Sequence, residues 1–228
     1  MSRGIFITAT GTDIGKTFVT ALIVKKLRDH GINAGYYKAA LSGAEYINGK
    51  LVAVDADYVC KIAGLADEPN SLVSYIYETP VAPHLASRLE GNPIEMDKLV
   101  ADFDRIKTKF DFVTAEGSGG IVCPLRLGEK DIMLTDVIKA LNLDIIIVAL
   151  AGLGTINSLV LTWEHAKLHN LTVKGIILNH FEPGNFLHED NKKQIEYLTG
   201  IPVITCLSSD AADLSIDIGA LTGLYKEL

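Results

Sequence analysis

The sequence predicts a doubly wound α/β domain: a mostly parallel sheet with helices on both faces, of the P-loop nucleotide-binding kind. Three observations predict it. Short β-rich runs alternate with helix-periodic stretches along the whole chain. Residues 144–150 form a near-continuous apolar run, the pattern of a strand buried on both faces. Gly15-Lys16-Thr17 falls between the first strand and the first helix, where phosphate loops sit.

Taken in order, residues 4–8 read as a strand. Residues 15–30 read as a helix, with Phe18, Val19, Leu22, Ile23 and Leu27 at helical spacing and Gly31 as its stop. A second strand follows at 34–38, ended by Lys38. Residues 50–63 are partly helical and 72–77 a short strand. Helices are expected at 83–89 and 95–107, a strand at 110–115 and a helix at 131–141. Beyond strand 144–150 come a helix at 156–170, a strand at 173–178, a polar helix to about Thr199, a short strand at 203–206 and a helical tail from Asp213. No linker, repeat or low-complexity segment interrupts this order, so all 228 residues are expected to form one domain.

Composition narrows the function classes. The 21 basic and 28 acidic residues give a net charge of −7, which speaks against nucleic acid as the main partner. No apolar run reaches the ~18 residues that span a bilayer. The first residues lack the pattern of a secretory signal. Cys60, Cys123 and Cys206 are scattered, form no Cys-x-x-Cys pair, and read as buried free thiols. A cytoplasmic protein without membrane or nucleic-acid partners is expected.

In open parallel sheets, ligands bind beyond the carboxyl ends of the strands. Those positions hold 8–17, then Lys38 and Ser42, then Glu116-Gly-Ser-Gly-Gly120, then Gly152-Leu-Gly-Thr-Ile-Asn157, then Asn179. Glycine and reactive polar groups thus collect at one edge. In the first loop, backbone N–H groups would cradle phosphates, Lys16 would reach the β- and γ-phosphates and Thr17 would meet Mg2+. The strict Walker A spelling fails, because Thr10 stands where the first glycine belongs. Glu116 ends an apolar strand, as a carboxylate beside a phosphate-bound metal does. Asp55 and Asp57 compete for a second metal-ligand role, and either is also suited to a helix N-terminus. Lys38 is placed to neutralise an anionic intermediate. Asn157 and Asn179 are equally at home in a first helical turn and in a turn. His84 reads as structural, and His30, His165, His169, His180 and His188 share no metal-ligand spacing.

Together, Thr10-Gly-Thr-Asp-Ile-Gly-Lys-Thr17, Tyr37-Lys-Ala-Ala-Leu-Ser-Gly43, Pro80-Val-Ala-Pro-His84, Glu90-Gly-Asn-Pro-Ile-Glu95, Glu116-Gly-Ser-Gly-Gly120, Leu153-Gly-Thr-Ile-Asn157 and Asn179 resemble dethiobiotin synthetases, in that family's order and over nearly the whole chain. The family's loop is one residue longer between its glycines than a strict Walker A. Ala9 then stands in the first glycine's place and Gly11 in that of an Asp. The resemblance implies an ATP-dependent ligase that closes a cyclic urea on 7,8-diaminononanoate with CO2 (or bicarbonate), through a carbamate and a carbamic–phosphoric anhydride. It implies catalytic Lys16, Lys38 and Thr12. The implied nucleotide set is Gly11, Thr12, Asp13, Ile14, Gly15, Lys16, Thr17 and Phe18, with Asp55, Glu116, Gly117, Ser118, Gly119, Asn179 and His180. Thr17, Asp55 and Glu116 would hold Mg2+. Lys38, Ser42, Gly119, Leu153, Gly154 and Asn157 would meet the diamine, the last loop from the partner of a homodimer. Ser158 stands where the family often has His, and Thr205-Cys-Leu-Ser-Ser209 departs from the family's last loop. A partitioning or switch ATPase is the rival reading. That class usually carries a lysine four residues before the Gly-Lys-Thr glycine, and here that position is Gly11.

Overall fold

A computed structural model describes residues 2–228. The chain forms β1 (Arg3–Ala9), α1 (Lys16–Asp29), β2 (Ala34–Ser42), a hairpin of β3 (Glu45–Ile47) and β4 (Lys50–Val52), α2 (Val54–Ala63), β5 (Val73–Tyr77), α3 (Pro83–Leu89), α4 (Met96–Lys107) and β6 (Phe112–Glu116). There follow a second hairpin of β7 (Pro124–Arg126) and β8 (Ile132–Met133), α5 (Leu134–Ala140), β9 (Ile145–Leu150), α6 (Thr155–Leu168), β10 (Val173–Asn179), α7 (Phe186–Thr199), β11 (Val203–Leu207), α8 (Ile218–Thr222) and β12 (Lys226–Glu227).

The main sheet runs β11-β10-β9-β1-β6-β2-β5, all parallel, with β12 pairing antiparallel to the start of β1. The expected doubly wound architecture is therefore present. From β1 the sheet extends one way through β6, β2 and β5, with β6 inserted last, and the other way through β9, β10 and β11. The reversal beside β1 is the switch point where such folds leave a crevice. Ile5, Phe6 and Ile7 of β1 and Ile145, Ile146, Ile147 and Val148 of β9 are wholly buried, as central parallel strands require.

Four expectations need correction. The strand carrying Lys38 does not end there but runs on to Ser42, because the apolar run Ala39-Ala40-Leu41 continues the pairing with β5. The tail is not a helix. It holds the five-residue α8 and then β12, whose register Gly4↔Lys226 ties the chain end to β1. Asp131 precedes a two-residue strand, and the helix begins only at Leu134. Cys206 is half-buried, whereas Cys60 and Cys123 are buried. The β3–β4 hairpin lies in a region given no strand, with only β4 inside the stretch 50–63 expected to be partly helical, although Asn48-Gly49, both at positive φ (52° and 76°), is the turn signal for it.

Gly35 shows how tightly the layers pack. A Cβ added there would run into the Phe110 ring, which lies across β2. Gly35→Ala is therefore expected to destabilise the fold by about 1–3 kcal/mol, through forced shifts in a close-packed interior. Urea unfolding checks this, and an unchanged midpoint would contradict it.

Candidate active site

The loop between β1 and α1 has the build of an anion cradle. Gly15 caps α1 in the left-handed region (φ 92°), no side chain caps the helix, and its first turn carries no acid. The leading N–H groups thus remain free for phosphate. A Cβ on Gly15 would strike the Asn179 side chain, so glycine is demanded twice over, by backbone conformation and by space. Ala9, in the place of the family's first glycine, is wholly buried at the end of β1, where extended backbone needs no glycine. Lys16 is buried and donates to the Gly11 carbonyl at 3.0 Å. Burial and then the neighbouring Lys38 charge hold its ammonium below the usual lysine range.

The centre of the site is a buried charge cluster. The β2–β6 register sets Lys38 opposite Glu116. Lys38 donates to Glu116 Oε1 at 2.7 Å and to Asp55 Oδ2 at 2.5 Å. Thr17 Oγ1 donates to the same Glu116 oxygen at 2.8 Å, and Tyr36 OH donates to Oε2 at 3.1 Å. The side chains of Lys38 and Glu116 are 4% and 0% exposed, so the charges are held by each other rather than by water. Burial opposes the Lys38 charge, but Glu116 and then Asp55 outweigh it and raise its pKa above the usual lysine range. With a raised folded pKa, the charged form and its contribution to stability persist through neutral and mildly alkaline pH.

The two acids of α2 point to different places. Asp55 faces the cluster, whereas Asp57 pairs at the surface with Lys61. Around the cluster lies a cavity of about 310 Å³, lined by Thr12, Asp13, Gly15, Lys16, Thr17, Lys38, Ser42, Asp55, Glu116, Ser118 and Gly119 among others. Mg2+ asks for hard oxygen donors, commonly one or two carboxylates completed by phosphate oxygens. Thr17, Asp55 and Glu116 make such a set, so the residues fit the ion.

Other expected residues stand around this centre in different ways. Ser118 donates to the Ala40 carbonyl at 2.6 Å and so ties the glycine loop to β2. Gly117 packs under that loop, where a Cβ would crowd Leu134 and Phe6. Gly11 and Ile14 contribute carbonyls, to Lys16 and to Asn179. Phe18 packs on the core rather than lining the cavity. Asn179 is 1% exposed at the end of β10. Its amide donates to Ile14 O at 2.9 Å, and its Oδ1 is buried with no partner. His180 follows at positive φ (55°), exposed. Leu153, Gly154 and Asn157 do not reach the cavity. Leu153 is 93% exposed and Gly154 caps α6, while Asn157 lines a separate groove of about 350 Å³ with Thr10, Val122 and Leu161. The Tyr36 contact with Glu116 was not foreseen. The alternation of side chains along β2, which puts residues 36 and 38 on one face, is the signal that could have found it.

A phosphate loop at the switch point of a parallel sheet, with a buried lysine and two carboxylates beside it, defines a P-loop nucleotide-binding protein. Residues 3–212 match the family model described as an AAA domain. The fold is similar to that of the MinC:MinD cell division protein complex of Aquifex aeolicus (TM-score 0.59, 15% identity, 92% of this chain and 82% of that one). It is also similar to a ParA family ATPase from Chlorobium tepidum (TM-score 0.58, 13% identity, 92% and 86%). The sequence is 51% identical over 228 residues, all of both chains, to the ATP-dependent dethiobiotin synthetase BioD of Clostridium botulinum strain Loch Maree. To that of strain Eklund 17B it is 52% identical over 225 residues, 99% of each. The chain belongs to the ATP-dependent dethiobiotin synthetase family. Among the described residues no helix is long and apolar enough to cross a membrane.

Breaking the cluster from one side leaves an unpaired buried charge. Lys38→Met is expected to cost about 3–5 kcal/mol of stability, against less than about 0.5 kcal/mol for Lys61→Met at the surface pair. Parallel denaturant titrations check the contrast, and equal losses would contradict it.

Proposed function

We propose that the protein uses ATP to close a cyclic urea on 7,8-diaminononanoate with CO2, giving dethiobiotin, ADP and phosphate. One observation carries this reading. Two buried lysines, Lys16 and Lys38, meet in one cavity with the helix N-terminus of a phosphate loop. Such a site is built to gather anions: phosphates, and a carboxylated amine beside them. Membership of the dethiobiotin synthetase family supports ATP and the product's name, and the resemblance of the site loops implies the diamine and CO2.

The chemistry asks for positioning and charge neutralisation rather than a protein nucleophile. An amine of the substrate takes up CO2, loses a proton and becomes a carbamate. A carbamate oxygen attacks the γ-phosphorus as the bond to ADP breaks. The second amine then attacks the carbamoyl carbon, loses a proton, and phosphate departs with the bridging oxygen. Lys38 and Lys16 stabilise the anions that form along this path, and Thr12, Ser42 and the backbone of 117–119 orient the carbamate and diamine. Mg2+ bound to Thr17, Asp55 and Glu116 would neutralise and align the phosphate oxygens. Asn179 supports an amino-bearing base. Its amide is committed to Ile14, which leaves an acceptor buried beside the loop. His180 adjoins it.

The proposal includes a homodimer, with residues 153–157 reaching the partner's substrate. Exposed Leu153, Val122 and Leu161 (93%, 60% and 62%) support an apolar contact between copies near the separate groove. A cytoplasmic setting accords with the free thiols.

Phosphate release from Mg-ATP is expected to require both the diamine and bicarbonate, with dethiobiotin detected by mass. Release indifferent to the diamine would favour a switch-type ATPase. Lys38→Ala is expected to lower turnover by 10²-fold or more, in the range typical of transition-state charge stabilisers, while ATP affinity measured by calorimetry changes far less. Equal losses in both would contradict its role. Light scattering at assay concentration is expected to give twice the chain mass, and a fully active monomer would overturn the dimer.

A further inference from the structure

We infer that Tyr36 is a positioning residue of the metal site, holding Glu116 so that one chosen carboxylate oxygen faces the metal and Thr17. The inference rests on the reading of Glu116 as a metal ligand.

The two oxygens of Glu116 have different surroundings. Oε1 accepts from Thr17 and Lys38, at 2.8 and 2.7 Å, and belongs to the cavity side. Oε2 accepts from Tyr36 at 3.1 Å, on the core side. A glutamate's terminal torsion is soft, with a broad and roughly two-fold profile. A donor fixed on one oxygen therefore decides how the other is aimed. Backbone geometry makes this possible. Residues 36 and 38 lie on the same face of β2, and the register pairs Tyr36 with Thr114 and Lys38 with Glu116. The phenol thus reaches diagonally to the carboxylate one pleat further on.

The hydroxyl is not explained by packing. Tyr36 is wholly buried, and a phenylalanine would fill the same core volume without a polar group to satisfy. The neighbouring Tyr37 makes the contrast. It points to the other face and donates to the Leu99 carbonyl at 3.0 Å, a contact internal to the scaffold. The Tyr36 hydroxyl has one acceptor in the core, Glu116 Oε2. Held by the buried ring, that hydroxyl anchors Oε2 and leaves Oε1 turned to the cavity side. Such outer partners of metal-ligating carboxylates commonly govern affinity by about 10–100-fold.

The test uses Mn2+ as the probe, titrated into protein saturated with a non-hydrolysable ATP analogue, with protein-bound ion read by electron paramagnetic resonance. Glu116→Gln is expected to weaken Mn2+ strongly and Tyr36→Phe by about 10-fold. The double variant should bind no more weakly than Glu116→Gln alone, since Tyr36 acts only through that carboxylate. Thermal unfolding of Tyr36→Phe, which keeps the ring, verifies that the titrated protein is folded. Native Mn2+ affinity in Tyr36→Phe, with Glu116→Gln impaired, would overturn the inference while leaving the metal site standing. Native affinity in Glu116→Gln would overturn the metal reading, and the inference with it.

Discussion

The site depends on one buried ammonium. Lys38 sits buried in β2, between β6 and the edge strand β5, where a charge is tolerated only if partners replace water. Glu116 comes from the neighbouring strand, Asp55 from the helix after the β3–β4 hairpin, and Thr17 from the phosphate-loop helix. Three separate segments are thus drawn to one point by the need to balance buried charge. Asn70 fixes the Asp55 side of this arrangement, bonding both the Leu51 carbonyl and the Ala53 amide just before α2. Ser118 fixes the other side through Ala40.

That arrangement also explains why a phosphoryl-transfer chemistry suits this site. Burial and then the Lys38 charge hold the Lys16 ammonium below the usual lysine range, and the two lysines line one cavity beside the free N–H groups of the phosphate loop. The thiol nearest the site, Cys123, is inert by comparison. It is buried, and burial raises it to about 11, too high for a thiolate nucleophile at neutral pH. The residues offer charge, oxygen ligands and backbone amides, which is what the proposed phosphoryl transfer to a carbamate oxygen asks for.

Much of this was legible in the sequence because local patterns carried it. The apolar β9, the glycine before Lys16 and the acid ending β6 each announce a place in the fold by composition alone. The family resemblance named the same loops. What was not legible depended on register and pairing. Nothing local says that the strand through Lys38 continues to Ser42, that the chain end returns to β1, or that Tyr36 rather than Tyr37 meets Glu116. The choice of Asp55 over Asp57 likewise required knowing which side of α2 faces β2. The loop 153–157 is expected to meet the diamine of a partner chain, and its distance from its own chain's cavity is a tertiary fact that no local pattern carries.

The most direct test of the account follows the oxygen atoms. If a carbamate attacks the γ-phosphorus, the oxygen that bridges carbon and phosphorus comes from CO2 and leaves with phosphate. With 18O-labelled bicarbonate and the diamine, in ordinary water, single-turnover phosphate is predicted to carry one 18O atom, read by mass spectrometry. Phosphate that takes its new oxygen only from water would mean hydrolysis, and would contradict a ligase built around Lys38 and the phosphate loop.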